Sequence, residues 1–171
     1  MKIVEQAKRI ISMGVEKVAV SSAAIDEPEL VARIAEVVGS QSVVVVMDVK
    51  KGISGNYEIW THNGSKSRGL KPVEFAQRIQ SSGAGEIVIN SIDNDGVMKG
   101  YDLALARSVR ETITLPLTVL GGAGSLKDIG ELIDTFGIVG AAAGSLFVFK
   151  GIYRAVLINY PSRSEKDALN M

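Results

Sequence analysis

The sequence of 171 residues contains no cysteine and a single histidine, His62. Without cysteine the chain has no disulfide framework, no thiolate zinc site and no cysteine nucleophile. One histidine excludes a metal centre built from several imidazoles within one chain, so we expect no metal and no cofactor. Acid–base chemistry must then come mainly from aspartate, glutamate, lysine or tyrosine.

The sequence also lacks an excess of either charge and any long hydrophobic run. Nineteen basic residues balance nineteen acidic ones, whereas a nucleic-acid-binding domain usually shows a basic excess. The apolar run at residues 43–47 has the length of a buried strand, far below the roughly 20 residues of a spanning helix. The N-terminus is charged and lacks the apolar central region of a signal peptide. We therefore expect a cytoplasmic protein that binds neither nucleic acid nor membrane.

Short β-branched runs alternate with amphipathic stretches along the chain. The strand-like runs are residues 17–21, 43–48, 86–91, 117–120 and 139–143. The helix-like stretches are residues 2–13, 29–38, 72–81, 102–111, 126–136 and 146–158, the last with Phe147, Phe149 and Tyr153 at the spacing of a core-facing stripe. Strands that are apolar on both faces are typical of a parallel sheet covered by helices. The pattern predicts an α/β fold with about five parallel strands.

Two segments depart from this alternation. The residues between the second strand and the helix at 72–81 include 56–62, which we interpret as a small hairpin attached to the end of that strand. Residues 162–171 are mostly polar and are predicted to form a frayed tail. We therefore expect one domain over residues 1–161, followed by this tail.

An internal repeat indicates how the βα units are arranged. Residues 14–22 resemble residues 137–145, and four βα units separate the two copies. Doubling these four units gives the eight units of a closed (βα)8 barrel, which has roughly 250 residues. The chain begins within a helix and contains only five units. We therefore expect a partial TIM barrel that lacks the first three strands.

Functional groups of βα barrels lie at the carboxyl ends of the strands. Asp48 is the first polar residue after the apolar run at 43–47, and Lys50 follows it. We interpret Asp48 as a catalytic acid or base with Lys50 as its partner. The alternative is an aspartate that only caps the loop or pairs with Lys50.

The next strand ends in a polar loop, residues 90–96. Asparagine and aspartate closed by glycine could form a calcium loop, but the EF-hand spacing with its terminal glutamate is absent. A loop that faces a ligand through Asn90, Asp95 and Gly96 fits better, and a plain Asx turn remains the alternative. Asp102 is predicted to be the N-cap of the following helix.

Two glycine-containing turns follow the last two strands, Gly121-Gly122 and Gly144-Ser145. Such turns let backbone N–H groups approach a phosphate, and late-strand turns form the recurring phosphate site of barrels. Ser21-Ser22 is the repeat mate of Gly144-Ser145 and predicts a second anion site across the barrel, with a hydroxyl N-cap as the alternative. Together these turns predict a ligand with two phosphates.

Several of these segments together resemble a known family. The segments that carry the resemblance are residues 39–50, 83–96, 100–102, 115–124 and 141–147. They are similar to the HisF-type cyclase subunit of imidazole glycerol phosphate synthase. The similarity extends over nearly the whole chain and over about the C-terminal two thirds of the family's (βα)8 barrel.

The resemblance implies a lyase of histidine biosynthesis that takes ammonia from a HisH-type glutaminase subunit docked at the barrel bottom. Its substrate is a bisphosphorylated aminoimidazole-carboxamide ribonucleotide, and its products are imidazole glycerol phosphate and aminoimidazole-carboxamide ribotide. Asp48 matches the second of two acid–base aspartates, with Lys50 beside it. The first lies on a strand that this chain does not contain.

The same resemblance assigns further positions. Gly96, Gly122, Gly144 and Ser145 match phosphate-side residues, with Asp95 adjacent, whereas Ser21 and Ser22 fall where the other phosphate is held. Lys17 and Glu86 match the charged gate through which ammonia enters.

The sequence departs from the family at Ser21-Ser22 (usually Asn-Thr), at Asn90 (usually Thr) and at Leu120 (usually Ser). Residues 146–161 resemble a HisF-like branch associated with amidation of surface-polysaccharide sugars, which is one alternative function. The other is a non-catalytic fragment that binds phosphate. With one of two acid–base groups, activity should fall by roughly 10²–10⁴-fold, so we expect this chain alone to be inactive. An open sheet also predicts self-association through its exposed strand edges.

Overall fold

One seven-stranded sheet and the helices packed on one of its faces form the fold of the computed structural model, which describes residues 2–62 and 64–170. The strands of the sheet are β1 (Val18–Val20), β2 (Val43–Lys51), β3 (Tyr57–Thr61), β4 (Lys66–Ser67), β5 (Glu86–Ser91), β6 (Leu117–Leu120) and β7 (Gly140–Ala141). The first six helices are α1 (Lys2–Ser12), α2 (Ser22–Asp26), α3 (Glu29–Val38), α4 (Pro72–Ser81), α5 (Leu103–Arg110) and α6 (Leu126–Phe136). The C-terminal elements are α7 (Ser145–Val148), a second small sheet of β8 (Phe149–Lys150) and β9 (Ala155–Val156), and α8 (Arg163–Asp167).

Five of these strands, β1, β2, β5, β6 and β7, run parallel to their neighbours, as the sequence predicts. The predicted hairpin is also present: β3 pairs antiparallel with the end of β2, and β4 pairs with β3. β1 and β3 share one edge of β2, β1 along its first residues and β3 from Asp48 onward. Within the described ranges β1 and β7 do not pair with each other, so the sheet is an open part of a (βα)8 barrel.

The two faces of the sheet differ in burial. Along β2, Val45, Met47 and Val49 are fully buried against the helices, whereas Val46 and Asp48 are only partly covered. Residues paired across parallel strands share a face, so the register aligns Asn90 of β5 with Asp48. We call the partly covered face, which carries Val46, Asp48 and Asn90, the inner face. The polar residues of this face mark where a ligand can reach the sheet.

The hairpin is fixed to the helix layer through Asp102. Asp102 is the N-cap of α5 and accepts a hydrogen bond from the Leu105 N–H at 3.0 Å, which confirms the predicted cap. The Tyr57 hydroxyl donates to both carboxylate oxygens of Asp102, at 2.9 and 2.8 Å. Burial and the neighbouring Asp102 carboxylate raise the pKa of Tyr57 to about 12. One carboxylate therefore stabilises both the start of α5 and the position of β3.

The predicted helix over residues 146–158 is wrong. Helix α7 ends at Val148, and the chain turns at Gly151 to form the β8–β9 hairpin. Gly151 has a φ of +72°, in the left-handed region that interrupts a helix and suits a tight turn. Tyr153, predicted to belong to the core, is 91% exposed in that turn.

The segment predicted to be a frayed tail is helical instead. Ser162 caps α8 in a reciprocal pair with Glu165: the Glu165 N–H donates to the Ser162 hydroxyl, and the Ser162 N–H donates to Glu165 at 2.8 Å. The Ser162 hydroxyl and the Ser162 backbone N–H both donate to the Glu165 carboxylate, and these two hydrogen bonds lower the pKa of Glu165. Leu169 follows α8 and packs near Gly130 of α6. The domain boundary at residue 161 stays a prediction.

None of the helices in residues 2–62 and 64–170 combines the length and the apolar character that crossing a membrane requires.

Candidate functional site

Asp48, Asn90 and Ser21 come together at the carboxyl ends of three strands. The Asn90 side-chain N–H donates to Oδ1 of Asp48 at 2.8 Å, and the Ser21 hydroxyl donates to Oδ2 at 3.4 Å. The register explains the first contact, because Asp48 and Asn90 are direct partners across β2 and β5. A pocket of about 230 Å³ opens beside them, lined also by Asp95. The predicted acid–base residue therefore faces a pocket.

Lys50 lies on the same face as Asp48 but does not pair with it. Its ammonium lies 5.2 Å from the centre of the Trp60 ring, a cation–π arrangement. Trp60 is the register partner of Asp48 on β3, so lysine, indole and carboxylate are neighbours on one surface. The alternative in which Asp48 is engaged in an ion pair with Lys50 is not what the described residues show.

The loop after β5 meets the turn after β7. Asp93 accepts a hydrogen bond from the Lys51 N–H at 2.9 Å, which joins this loop to the end of β2. Gly96 has a φ of +72°, and a Cβ at this position would lie 3.8 Å from the Ser145 hydroxyl oxygen. Gly144 is exposed, with space around it. The structure thus brings together Gly96, Gly144 and Ser145, three of the predicted phosphate-side residues.

Gly121 and Gly122 lie where the loops after β5 and β6 meet. Both are buried, and a Cβ on Gly122 would collide with the Gly100 carbonyl. The Gly100 N–H donates to the Gly122 carbonyl at 2.9 Å, and a Cβ on Gly121 would lie 2.6 Å from the Ser91 carbonyl oxygen. These two glycines let the loops after β5 and β6 pack backbone against backbone. Their direct contact with a phosphate stays a prediction.

The serine turn after β1 is tied to the hairpin. The His62 backbone N–H donates to the Ser22 hydroxyl oxygen at 3.2 Å, while His62 itself is exposed. Ser21 precedes α2 but makes no side-chain capping bond to it, so the alternative role as a hydroxyl N-cap is not observed. Both serines instead face the region between β1, β2 and the hairpin.

Unusual backbone conformations concentrate at this edge of the sheet. Within the described residues, His62, Met98 and Arg154 are the non-glycine residues with positive φ, at 53°, 60° and 48°. Left-handed φ is uncommon for such residues, and strained positions cluster at ligand sites. His62 contacts Ser22 and Arg154 contacts Gly96. Sequence reasoning missed Met98 and Arg154, because no residue-type pattern indicates left-handed φ at either.

The predicted gate residues form an ion pair at the amino ends of the strands, opposite the end that carries Asp48. Lys17 Nζ lies 2.7 Å from one Glu86 oxygen, and the Thr118 hydroxyl donates to the other at 2.7 Å. Partial burial alone would raise the pKa of Glu86, but the hydrogen bonds from Lys17 and Thr118 outweigh it and lower the pKa. Glu86 lies four residues before Asn90 on β5, about 13 Å along the strand. Thr118 was missed because only the fold brings it to Glu86.

Comparison with known proteins agrees with this geometry. The family model described as "Histidine biosynthesis protein" matches residues 1–153. A protein of Leptospira interrogans named "Putative imidazole glycerol phosphate synthase subunit HisF" is 54% identical over 99% of this chain and 67% of its own length. A Vibrio vulnificus protein named "Putative imidazole glycerol phosphate synthase subunit hisF3" is 55% identical over 97% of this chain and 64% of its own length.

A third relative, from Petrotoga mobilis, carries the name "Imidazole glycerol phosphate synthase subunit HisF" and is 42% identical over 91% of this chain and 61% of its own length. The chain therefore spans about two thirds or less of the length of these relatives. The matched residues include the strands and turns that hold Asp48, Asn90 and Ser145. As the resemblance in its motifs predicts, the chain belongs to the histidine biosynthesis protein family.

Proposed function

We propose that this chain carries the part of an ammonia-using cyclase of histidine biosynthesis that contains Asp48 and grips the substrate phosphates. The observation that carries the proposal is the position of Asp48. It lies beside a pocket, between the Ser21–Ser22 turn and the Gly96–Ser145 contact. The names of the relatives agree with this reaction and do not favour sugar amidation.

Asp48 is the acid–base group of the proposal. Asn90 and Ser21 donate hydrogen bonds to its two oxygens, and these contacts fix the orientation of the carboxylate toward the pocket. The carboxylate can accept a proton from a substrate and return it later in the reaction. Lys50 supplies positive charge on the same face, where it can stabilise negative charge that develops on the ligand.

The two phosphates of an elongated substrate would lie on opposite sides of Asp48. On one side Gly96, Gly144 and Ser145 offer an open backbone and a hydroxyl. On the other, Ser22 accepts a hydrogen bond from the His62 N–H and keeps its own hydroxyl proton as a donor for a phosphate oxygen. Asp95 borders the pocket between them, while Gly121 and Gly122 hold the late loops in place.

A glutaminase subunit is the proposed partner at the amino edge of the strands. The Lys17–Glu86 pair lies there, on the edge opposite Asp48. The inner face between the two edges carries Val46 and Val88. An apolar surface of this kind between the two ends of the strands suits ammonia, which is uncharged, and disfavours ions. The word "subunit" in the names of the relatives is in keeping with a partner.

The open sheet also predicts association between copies of this chain. β1 and β7 are not paired with each other in the described structure and present backbone groups at their outer sides. We propose that copies of the chain associate through these edges. Light scattering of the purified chain should show species larger than 18.2 kDa, and a monodisperse monomer at all concentrations would contradict this. A cytoplasmic location stays a prediction of the sequence.

The function is tested by titrating the chain with the bisphosphorylated ribonucleotide and with aminoimidazole-carboxamide ribotide, which has one phosphate. Calorimetry should show at least about tenfold tighter binding of the ligand with two phosphates, because two charged contacts replace one. Equal affinity for the two ligands would contradict the arrangement of two phosphate sites.

The role of Asp48 is tested by Asp48→Asn, with ammonium chloride as the nitrogen source. Substrate binding should be retained, whereas any residual turnover, already lowered roughly 10²–10⁴-fold because only one of the two acid–base groups is present, should be abolished. Asp134→Asn is the control, because it removes an exposed carboxylate from α6. Loss of substrate binding in Asp48→Asn, with binding retained in Asp134→Asn, would assign Asp48 to binding and contradict its acid–base role.

A further inference from the structure

The β8–β9 hairpin brings the chain back beside α7, where the Leu157 N–H donates to the Val148 carbonyl at 2.9 Å. It follows directly on α7, whose first residue is Ser145, so the segment that forms the Gly144–Ser145 turn also determines where the hairpin lies. Arg154 begins the return to β9 and reaches the loop after β5. We propose that Arg154 binds the substrate phosphate that occupies the space beside Gly96 and Ser145. This proposal rests on the proposed function and adds a cation to its phosphate site.

The guanidinium of Arg154 is held in place by two contacts. Nη2 donates to the Gly96 carbonyl at 3.4 Å, and Cζ lies 4.7 Å from the centre of the Phe149 ring. A guanidinium has five N–H donors in a planar fork that matches two phosphate oxygens. The contact with Gly96 uses one of these donors. That leaves the other donors of the fork for a phosphate bound on the same loop.

Charge around the loop also favours a cation at this position. Asp95 directly precedes Gly96, and Asp93 lies in the same turn. A phosphate dianion placed beside Gly96 is repelled by these carboxylates unless positive charge lies close to it. Arg154 makes no ion pair with any residue in the described ranges. Its charge therefore remains available to an anionic ligand.

The backbone at Arg154 is unusual for its residue type. Its φ is +48°, and its N–H donates to the Gly151 carbonyl at 3.0 Å to close the turn. Glycine or asparagine adopts this conformation at lower cost than arginine. A strained residue next to a ligand site indicates that its side chain has a role there. The turn itself does not require an arginine, whereas a guanidinium suits a phosphate.

The competing explanation is that Arg154 only pins the hairpin to the Gly96 loop. The two roles differ in what they require of the side chain. A pin needs one N–H donor for the Gly96 carbonyl, which a glutamine amide can supply. Binding a phosphate needs the positive charge and the second donor. Arg154→Gln therefore separates the roles, because it keeps a donor and removes the charge.

The experiment measures binding of inorganic phosphate and of the bisphosphorylated ribonucleotide to the full chain by calorimetry. Arg154→Gln should weaken both affinities about ten- to a hundredfold, the range for a lost charged hydrogen bond. Arg154→Lys should recover part of that loss, because it restores the charge without the fork. Lys150→Gln is the matched control: it removes the same charge from the same hairpin at an exposed position.

Each outcome decides the proposal. If Arg154→Gln changes the unfolding temperature but binds phosphate like the Lys150→Gln variant, Arg154 is a pin and the proposal is overturned. Ser145→Ala separates this failure from failure of the proposed function. If that variant weakens phosphate binding while Arg154→Gln does not, the phosphate site stands without Arg154. If the unmodified chain binds no phosphate, the site and the role of Arg154 both fail.

Discussion

The two ends of the parallel strands, which we call the amino edge and the carboxyl edge, hold their carboxylates with different partners. At the amino edge, Glu86 receives an ammonium from Lys17 on one oxygen and a hydroxyl from Thr118 on the other. At the carboxyl edge, Asp48 receives an amide and a hydroxyl, and no cation in the described part of the chain pairs with it. The Lys17 ammonium compensates the charge of Glu86 within the fold, whereas the Asp48 carboxylate has neutral partners and borders the pocket. On one face, the fold thus separates an ion pair from a carboxylate that borders a pocket.

The backbone shows the same contrast between the edges. The loops after β5 and β6 contain left-handed residues such as Gly96, Gly122 and Met98, and they pack on one another. At the amino ends of the strands, Glu86 and Thr118 instead rise from regular residues of β5 and β6, and the left-handed residues in the turns that lead into the strands are glycines, such as Gly14 and Gly83. Strained loops on a regular scaffold are typical of binding sites. The following substitutions test that division, in order of decreasing effect.

The largest effect on stability is expected from Gly122→Ala. The new Cβ would meet the Gly100 carbonyl at a φ of +115° that alanine does not tolerate. Strain and overpacking together should lower the free energy of unfolding by about 3 kcal/mol or more, measured by urea denaturation. Gly144→Ala is the control, since its φ is −106° and a Cβ there meets nothing within 4 Å. Equal stability of the two variants would show that the late glycines do not differ in role.

The features that the sequence predicts correctly are local or periodic. Five parallel strands follow from apolar runs of the right length, and the Asp102 cap follows from an aspartate placed just before an amphipathic stretch. Asp48 reaches the pocket for the same reason, because it is the first polar residue at the end of a buried strand. Such signals require no knowledge of distant residues.

The features that the sequence misses depend on distant partners. One such feature is the backbone contact between Gly122 and Gly100. Glycine serves where two backbones touch as well as where a ligand binds, and only the fold shows that Gly100 is the neighbour. The stretch after Val148 has apolar residues that fit a helix as well as a hairpin, and the left-handed Gly151 decides between them. Thr118 and Arg154 gain their contacts only when separate strands and loops are brought together.

A moderate loss is expected from Tyr57→Phe, which removes the hydroxyl that joins β3 to the Asp102 cap. A hydrogen bond to a carboxylate contributes about 1.5–3 kcal/mol, and partial exposure of Tyr57 places the expected loss near the lower end. The pKa of Tyr57 is raised from 10.0 to about 12, so its contribution is complete below pH 10 and is lost as the pH rises through about 12. As the pH rises from 10 to about 12, the free energy of unfolding should therefore decline less for Tyr57→Phe than for the unmodified chain.

Chemical denaturation at pH 8 and at pH 11 measures this difference. Tyr153→Phe is the control, because Tyr153 is 91% exposed and its hydroxyl loss should leave the free energy of unfolding unchanged at both values. If Tyr57→Phe behaves like Tyr153→Phe, the hairpin is held by packing alone, and the pocket beside Asp48 does not depend on the cap at Asp102.

The smallest effect is expected at the amino edge, from Glu86→Gln. The Lys17 side chain is 50% exposed, so solvent screens the pair and its loss should cost no more than about 1 kcal/mol at neutral pH. The pKa of Glu86 lies below its ordinary value of 4.5, so the stabilisation is complete above that value and is lost as the pH falls through the lowered pKa. Urea denaturation from pH 6 to pH 3 should therefore show a shallower acid decline for the variant. The control is Glu74→Gln, which breaks the exposed Lys71–Glu74 pair at the start of α4 and should alter the acid decline less than Glu86→Gln does. An acid decline that is unaltered by Glu86→Gln would mean that the Lys17–Glu86 contact does not distinguish the amino edge energetically from the rest of the surface.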